Sequence, residues 1–503
     1  MKEILKIFDA FYGGIQSGDK SNVVGAVSNA EEVDIFSNKD YVQAEQILSA
    51  DSIPAESALY AYDVAKNDVL YGYGKNTTNN YVRIFKLDNS GAVNPTDWAT
   101  LFTSSSADVA NALSPIVVHE ITESAAQKTY LYYIAGTNKL KKYGPLESSP
   151  SESDVGTLSG LEANGWNRPW MLRLYGELYI GHGQYIAFVD DDGTFTEKKF
   201  TLPNGWKGVS GVGLSDSMLI LCQNVNYHNN FSMIYKWDLV ASSQFDDSIL
   251  IPMGGPQWII NHKEAIRVLC AINGKAYLFQ LSASYPVLTH IIENVATETT
   301  SQPISPVKCT AQKNGVLYFG LWKTDKSGIY ALGQVAESTP YALVLSKRFN
   351  TTDYSKHYPT ALFIQGQNFY ASYIDNTTQT YMRCEGANSP SRSSNAVIET
   401  MWYDAGDPLI AKDLTRAYLT SYPLPANTSL KLYVATDYTA TYTEIKRPND
   451  SIFNDANGIF GLFKPSAFAN KRAFKVKVEF ISSTTNSPKL QTIGLRVNIK
   501  ERD

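Results

Sequence analysis

The densest group of chemically active side chains in this sequence is the run Asp190-Asp191-Asp192-Gly193-Thr194. Neighbouring carboxylates can bind Ca²⁺, a cation that takes about six to eight oxygen ligands. The spacing of an EF-hand loop is absent, because no Glu stands at the twelfth position. Asp-Gly between alternating runs is also a strong hairpin signal, since glycine accepts a positive φ. We therefore predict a hairpin joining residues 185–189 to 194–200, with calcium binding as the alternative.

The remaining candidates for chemistry are scattered along the chain. No Gly-x-Ser-x-Gly elbow or phosphate-binding loop is present. The glycine-rich run 208–213 is followed by no helix that could bind phosphate, so it reads as a crossing between strands. Histidines and cysteines lack metal-ligand spacing, and their positions are His119, His182, His228, His262, His290, His357, Cys222, Cys270, Cys309 and Cys384. We predict no catalytic residue, no cofactor-binding residue, no metal ligand and no cofactor.

The elements that must position any site are short strands. A turn followed by a strand recurs at Tyr175–Gly181, Asn273–Phe279 and Asn314–Gly320, with a looser copy at Gly366–Ala371. Weaker copies occur near residues 70, 131 and 219. The units recur on average about every 50 residues, the length of one four-stranded propeller blade. The sequence therefore predicts an all-β fold containing a degenerate β-propeller of about seven blades. A long β-sandwich or a series of unrelated hairpins is the alternative.

The strand pattern changes after about residue 390. A polar linker, Asn388–Asn395, precedes strands in which apolar and polar residues alternate, as at Phe474–Phe480. Alternation of this kind is typical of a sheet with one buried face. We predict an extended N-terminal arm with the first strands (1–55), a β-propeller (56–392) and a C-terminal β-sandwich (393–503).

Composition narrows the class of protein. The chain has 503 residues, 44% of them apolar and only 18% charged, with 32 Tyr. A formal net charge of −5 argues against general binding of polyanions. The first residues, Met1–Phe8, do not read as a signal peptide, and no stretch approaches the roughly 18 apolar residues of a membrane span. The lack of a signal-peptide pattern and of a membrane-span pattern, together with the dispersed cysteines, predicts folding in a reducing cytoplasm.

Both ends of the chain resemble tailed-bacteriophage virion proteins. The stretches concerned are Phe8–Ile15, Val27–Ile35, Trp402–Gly406, Leu430–Asp437, Arg472–Phe480 and Ser487–Ile493. The similar groups are the tail nozzle and tail-hub proteins of short-tailed phages and the ring proteins at the portal exit. The resemblance implies a structural, non-enzymatic protein that forms a ring with its own copies around the DNA exit channel.

The implied partners are other virion proteins (portal, adaptor, tail or fibre proteins), with DNA passing unbound during ejection and no membrane involved. The implied location is the virion, and the host cytoplasm during assembly. A glycan- or receptor-binding propeller at the tail tip is one alternative, with Trp166, Trp170 and Trp258 lining its pocket. A polysaccharide-degrading enzyme is another, because two carboxylates from different blades can converge within about 5–10 Å.

Overall fold

The computed structural model shows a chain built almost wholly from β-strands. Within the described residues, helical structure is limited to one 3₁₀ turn, Val307–Cys309. None of the helical structure described is long and apolar enough to cross a bilayer. The described residues are 2–8, 11, 14–15, 26–50, 53–87, 98–104, 108–162, 168–226, 230–240, 242, 244–282, 285–298, 303–337, 339–349, 357–375, 378–384, 391–447, 452–454, 460–463 and 468–499.

The first six strands precede the repeating part of the fold. They are β1 (Lys2–Phe8), β2 (Gly14–Ile15), β3 (Ala26–Glu31), β4 (Val33–Asp34), β5 (Gln43–Ala44) and β6 (Ser49–Ala50).

Four-stranded antiparallel units then follow one another, and we number them sheets 1 to 7. Sheet 1 is β7 (Ser57–Val64), β8 (Leu70–Asn76), β9 (Val82–Leu87) and β10 (Trp98–Thr103). Sheet 2 is β11 (Ile116–Glu123), β12 (Ala126–Ala135), β13 (Lys139–Gly144) and β14 (Ser151–Thr157). Sheet 3 is β15 (Trp170–Leu174), β16 (Glu177–His182), β17 (Tyr185–Val189) and β18 (Phe195–Thr201). Sheet 4 is β19 (Trp206–Gly213), β20 (Met218–Asn224), β21 (Ser232–Trp237) and β22 (Asp247–Ile251).

Sheets 5 to 7 complete the series. Sheet 5 is β23 (Pro256–His262), β24 (Ala265–Ile272), β25 (Lys275–Ser282) and β26 (Tyr285–Glu293). Sheet 6 is β27 (Thr310–Lys313), β28 (Val316–Leu321), β29 (Gly328–Gly333) and β30 (Ala342–Arg348). Sheet 7 contains β31 (His357–Gln365), β32 (Asn368–Asp375) and β33 (Thr378–Cys384), and its fourth strand is β6 from the N-terminal region. This all-β architecture of repeated four-stranded sheets is consistent with a β-propeller.

The turns that recur in the sequence are the hairpins within these sheets. Asn273 and Gly274 both have positive φ, of 52° and 74°, and they join β24 to β25. Asn314-Gly315 plays the same part between β27 and β28. Two consecutive residues with positive φ favour the right-handed twist of a two-residue hairpin, which is why Asn-Gly suits these positions.

The first strands of the sheets lie beside one another in chain order. Strand β7 lies next to β11, and the series continues through β15 and β19 to β23. The 3₁₀ turn contacts both β23 and β31, while β27 lies against β31 and β31 returns to β7. We call this closed circuit of first strands the ring.

A separate hydrophobic core fills the space between each pair of neighbouring sheets. Trp170 of sheet 3 packs with Trp237 of sheet 4, for example, and Leu70 of sheet 1 packs with Tyr370 of sheet 7. Both faces of each sheet are therefore covered, which explains strands that are apolar throughout rather than alternating.

The remaining strands are β34 (Ala396–Thr400), β35 (Lys412–Ser421), β36 (Ser429–Thr436), β37 (Tyr442–Ile445), β38 (Phe460–Phe463), β39 (Phe474–Ile481) and β40 (Leu490–Ile499). They form one sheet in the order β1-β40-β35-β38 and a second run, β3-β34-β39-β36-β37, which a single parallel bridge between Glu31 of β3 and Leu345 of β30 joins to sheet 6. The two share one hydrophobic core, in which Leu419 and Leu495 meet Val476 and Val478.

The described strands of residues 1–55 pair within the chain rather than projecting from it. Strand β1 pairs with β40, β3 pairs with β34, and β6 completes sheet 7 beside β33. The described strands of this region therefore pair with both other parts of the molecule, while the predicted extended arm, which includes residues 16–25 outside the described ranges, stays a prediction. Edge strands of existing sheets offer unpaired N–H and C=O groups, and these segments pair with them.

Candidate active site

The aspartate run forms the expected hairpin turn. Val189 pairs with Phe195, and the Thr194 amide donates to Asp190 Oδ1 at 2.7 Å and to Asp192 Oδ1 at 3.0 Å. Its carboxylates are thus used to hold the turn. No group of three or more candidate metal ligands occurs within the described ranges.

The described histidines lie apart and are buried in packing positions. His182 Nε2 lies 2.9 Å from the Glu197 carbonyl, and His262 Nε2 lies 2.9 Å from that of Gly315. His119 packs edge-on against Tyr132, while burial lowers the pKa of His119 to about 4. His228 lies outside the described residues. These histidines stabilise the sheets and come together at no common site.

Two of the three tryptophans proposed for a glycan pocket are buried in hydrophobic cores. Trp170 and Trp258 are buried in the cores beside sheets 3 and 5, and Trp258 Nε1 donates to Ser305 Oγ at 2.9 Å. Trp166 lies outside the described residues. The glycine-rich run falls in β19, where Gly211 leaves room for the Trp170 ring. Neither motif contributes polar groups to a binding surface.

A polar cluster that the sequence did not indicate lies inside the ring. Val118, on the free inner edge of β11, donates its N–H to Asp63 Oδ2 at 2.7 Å. Its carbonyl accepts a hydrogen bond from Arg173 Nη1 at 2.9 Å. Asp63 comes from β7 and Arg173 from β15, so side chains from sheets 1 and 3 meet over the edge of sheet 2. A buried edge strand needs partners of this kind for its backbone groups.

A second carboxylate, Glu120, lies on the same strand and the same face as Val118. It forms an ion pair with Lys66, which follows β7 in the adjoining hairpin. Two residues of strand span about 7 Å, so Glu120 lies roughly that far along β11 from the amide that Asp63 binds. We call Asp63, Glu120, Arg173 and Lys66 the Asp63 cluster.

The two carboxylates differ in environment. Burial raises the pKa of Asp63 above its ordinary value, and the nearby Arg173 opposes that rise only in part. The Asp63 side chain is 15% exposed and that of Glu120 is 22% exposed, so both can be reached from solvent. Asp63 is therefore suited to hold a proton, whereas Glu120 faces the Lys66 ammonium. Paired carboxyl groups in unlike environments are the usual arrangement for acid–base catalysis.

The opposite end of the ring is closed by buried contacts. Lys308 donates from Nζ to the carbonyl oxygens of Ala112 and Ser114, which precede sheet 2, and burial lowers the pKa of Lys308 to about 7. Arg168, before sheet 3, donates from Nη1 to the Pro256 carbonyl at 2.6 Å. These bonds join sheets that are not neighbours, so they cross the ring. Access to the Asp63 cluster is therefore from its own end.

Sequence reasoning missed this cluster because its members are dispersed. Asp63 and Glu120 are 57 positions apart, and Arg173 follows 53 positions later. The available signal was a charged residue near the end of an apolar first strand, as in Leu59-Tyr60-Ala61-Tyr62-Asp63. That pattern gains meaning only once the ring brings the strand ends together.

Comparison with known proteins gave structural matches but no family. No protein-family model matches the chain, and no curated protein matches it significantly. A glycoside hydrolase family 43 arabinoxylan arabinofuranohydrolase from Bacillus subtilis is similar at 10% identity and TM-score 0.28, over 91% of this chain and 96% of that chain. An exo-β-1,3-galactanase from Phanerochaete chrysosporium is similar at 9% identity and TM-score 0.27, over 90% and 100%. An α-L-arabinofuranosidase from Fusarium graminearum is similar at 10% identity and TM-score 0.34, over 69% and 98%.

These findings correct the predicted identity. Glycoside hydrolases are among the similar structures, and this finding contradicts the predicted tail nozzle or tail-hub protein, so that prediction is wrong. The virion role around a DNA channel and the absence of enzymatic activity are wrong on the same finding. The resemblance rested on alternating strands such as Phe474–Ile481, a pattern that any sheet with one buried face produces. The predicted partners and location are untested and stay predictions.

Proposed function

We propose that sheets 1 to 7 are the blades of a seven-bladed propeller. Seven inter-sheet cores and the closed ring of first strands support this count. The domain boundaries stay at 56–392 for the propeller and 393–503 for a β-sandwich. Residues 1–55 contribute strands to both domains, because β6 pairs in sheet 7 while β1 and β3 pair with C-terminal strands.

We further propose that the protein hydrolyses a glycan at the Asp63 cluster. The observation that carries this proposal is that Asp63 binds the edge of β11 at Val118, two residues from Glu120, at the accessible end of the ring, with each carboxyl group in a different environment. Hydrolysis of a glycosidic bond needs one carboxyl group to protonate the leaving oxygen and another to activate water or attack the sugar. The carboxyl separations that these reactions use run from about 5 to 9.5 Å, so the proposal requires the carboxyl groups of Asp63 and Glu120 to come within this range.

Each member of the cluster then has a definite role. Asp63 acts as the general acid, because burial favours its neutral form and the Val118 N–H fixes the position of its Oδ2. Glu120 acts as the base or nucleophile. Arg173 helps to orient Asp63, because both side chains bind Val118 of β11. Arg173 donates to the Val118 carbonyl, while Asp63 accepts from the Val118 N–H.

The test is release of reducing ends from a panel of neutral polysaccharides and oligosaccharides by the full chain. Asp63→Asn keeps the oxygen that accepts from Val118 but cannot donate the proton, and Glu120→Gln removes the second carboxylate. Each should lower kcat by about 10²–10⁴-fold, the usual contribution of acid–base catalysis. Glu123→Gln is the matched control, because Glu123 lies on the same strand but pairs with Lys128 and Tyr130.

The pH profile gives a second readout. With Asp63 as the acid, the wild-type rate should fall as the pH rises through the raised pKa of this group. Thermal unfolding of each variant separates loss of fold from loss of chemistry. If no substrate of the panel is cleaved, or if both variants match Glu123→Gln, the assignment of this cluster is wrong.

A further inference from the structure

A cavity lies away from the Asp63 cluster. It is a cleft of about 370 Å³ between sheets 5 and 6 and strands β3 and β34. One wall is the end of β26, with Ile291, Ile292 and Glu293, and the facing wall includes Glu31 and Glu399. The volume falls within the range of roughly 300–1,000 Å³ that is usual for small-molecule sites.

Side chains within the molecule already pair the carboxylates that line this cleft. Glu31, whose side chain is 3% exposed, forms ion pairs with Lys326 and Arg348. Asp325 lies 3.2 Å from Lys323 Nζ and accepts from Asn294 Nδ2 at 3.0 Å. These pairs hold the polar groups in fixed directions before any ligand arrives.

The other two carboxylates are paired in the same way. Glu399 accepts from the Tyr442 hydroxyl at 3.0 Å and lies 3.3 Å from Lys475 Nζ, while Glu293 lies 3.2 Å from Lys275 Nζ. An ionic ligand would have to displace one of these partners. A neutral ligand with many hydroxyl groups needs no such exchange, because each carboxylate oxygen has lone pairs for more than one donor.

The rest of the lining suits the carbon face of a sugar ring. The partly exposed Ile15 and Ile291 supply the apolar floor, and the buried Tyr330, Leu343 and Leu345 lie beneath it. Polar rim groups that fix orientation above an apolar floor are typical of small-molecule sites.

We propose that this cleft is a second, non-catalytic glycan-binding site for a neutral oligosaccharide. The choice of a glycan rests on the proposed function, whereas the paired charges point independently to a neutral polyhydroxylated ligand. The cleft would hold one part of a polymer at the junction of the two domains while another part reaches the Asp63 cluster.

The experiment measures binding of the full chain to a defined array of neutral oligosaccharides, followed by calorimetry with any oligosaccharide bound. The double variant Glu293→Gln/Asp325→Asn weakens two charged acceptors at the rim and should lower affinity by about 10-fold or more. Ile291→Trp fills the cleft and should abolish binding. Glu264→Gln, an exposed change in the β23–β24 hairpin of sheet 5, is the matched control.

The two sites are separated by comparing binding with hydrolysis. We expect Asp63→Asn/Glu120→Gln to bind the oligosaccharide as the wild type does, even if no hydrolysis is found in any variant. Cleft-dependent binding without hydrolysis would refute the proposed activity and leave the cleft site standing. If no oligosaccharide binds at millimolar concentration, or if only the Asp63 and Glu120 changes abolish binding, the cleft proposal is wrong.

Discussion

Two buried histidines should make this protein lose stability as the pH falls below about 6.5. Burial is the main cause in both cases, and it lowers the pKa of His119 and of His290 to about 4. Neighbouring cations add to the effect, since Arg173 opposes protonation of His119 and Arg267 opposes that of His290. The unfolded chain has no such environment, so its histidines titrate near 6.5.

The sign and size of the effect follow from proton linkage. Above pH 6.5 both histidines are neutral in the folded and unfolded states, and they contribute nothing to the pH dependence. Between pH 6.5 and 4 the unfolded state binds protons that the folded state resists, so the free energy of unfolding falls. A shift of about 2.5 units corresponds to about 3 kcal/mol for each histidine at about 1.36 kcal/mol per unit. Two such losses are comparable with the whole stability of a typical domain, about 5–15 kcal/mol.

The assay is urea unfolding at pH 7.0, 5.5 and 4.5, with wild type, His119→Gln, His290→Gln and the double variant. Each glutamine costs some packing at pH 7, but it cannot be protonated. The difference between pH 7.0 and 4.5 should therefore shrink by up to about 3 kcal/mol for each replacement. Carboxylates that titrate in this range cancel in the comparison, because all four proteins contain them. An equally steep pH dependence in the double variant would refute the reasoning.

Two further predictions concern a buried ion pair and a close approach of two backbone segments. Replacing Glu31 by Gln leaves Lys326 and Arg348 without their shared carboxylate, and should lower the free energy of unfolding, measured in urea, by about 3 kcal/mol. An unchanged midpoint of urea unfolding would contradict a buried ion pair at Glu31. Replacing Gly74 by Ala places a Cβ atom 1.7 Å from the Ala58 carbonyl oxygen, so the backbone of sheet 1 must shift. This shift should cost roughly 1–3 kcal/mol of unfolding free energy, which calorimetry should show as a melting temperature several degrees below that of the wild type. A variant that melts at the wild-type temperature would show that β7 and β8 approach less closely.

The sequence was informative where structure depends on neighbouring residues. The pairs Asn273-Gly274 and Asn314-Gly315 predict hairpins because the required positive φ values are a property of two residues. The alternation of Phe474, Val476 and Val478 predicts a strand with one buried face, and all three side chains are fully buried. The all-β class follows from many such local signals, and the structure confirms it.

What the sequence could not supply depends on long-range pairing. Nothing local in Lys2–Phe8 indicates that this strand pairs with Leu490–Ile499 at the other end of the chain. Ser49–Ala50 is equally unremarkable, yet it provides the fourth strand of sheet 7. Contacts across such separations are set by which sheet edges remain open after the local hairpins have formed. These pairings of residues 1–55 could not be predicted from the sequence for that reason.

The error about enzymatic activity has the same origin. The absence of a nucleophile elbow, a phosphate loop or a metal motif excludes sites that are made from one continuous segment. A ring of sheets builds its polar groups from strand ends that are far apart in sequence, as Asp63, Glu120 and Arg173 illustrate. Local motifs are therefore weak negative indicators for this architecture.

Closure of the ring links the candidate active site to the N-terminal region. Asp63 is desolvated because β7 lies between β11 on one side and β31 of sheet 7 on the other. Sheet 7 in turn is completed by Ser49–Ala50, a few residues before β7 begins. The same short segment thus completes sheet 7, whose first strand closes the ring, and leads into the strand that carries Asp63. Burial raises the pKa of Asp63, so the acid role that we propose for it depends on the packing of β7 between its neighbouring strands.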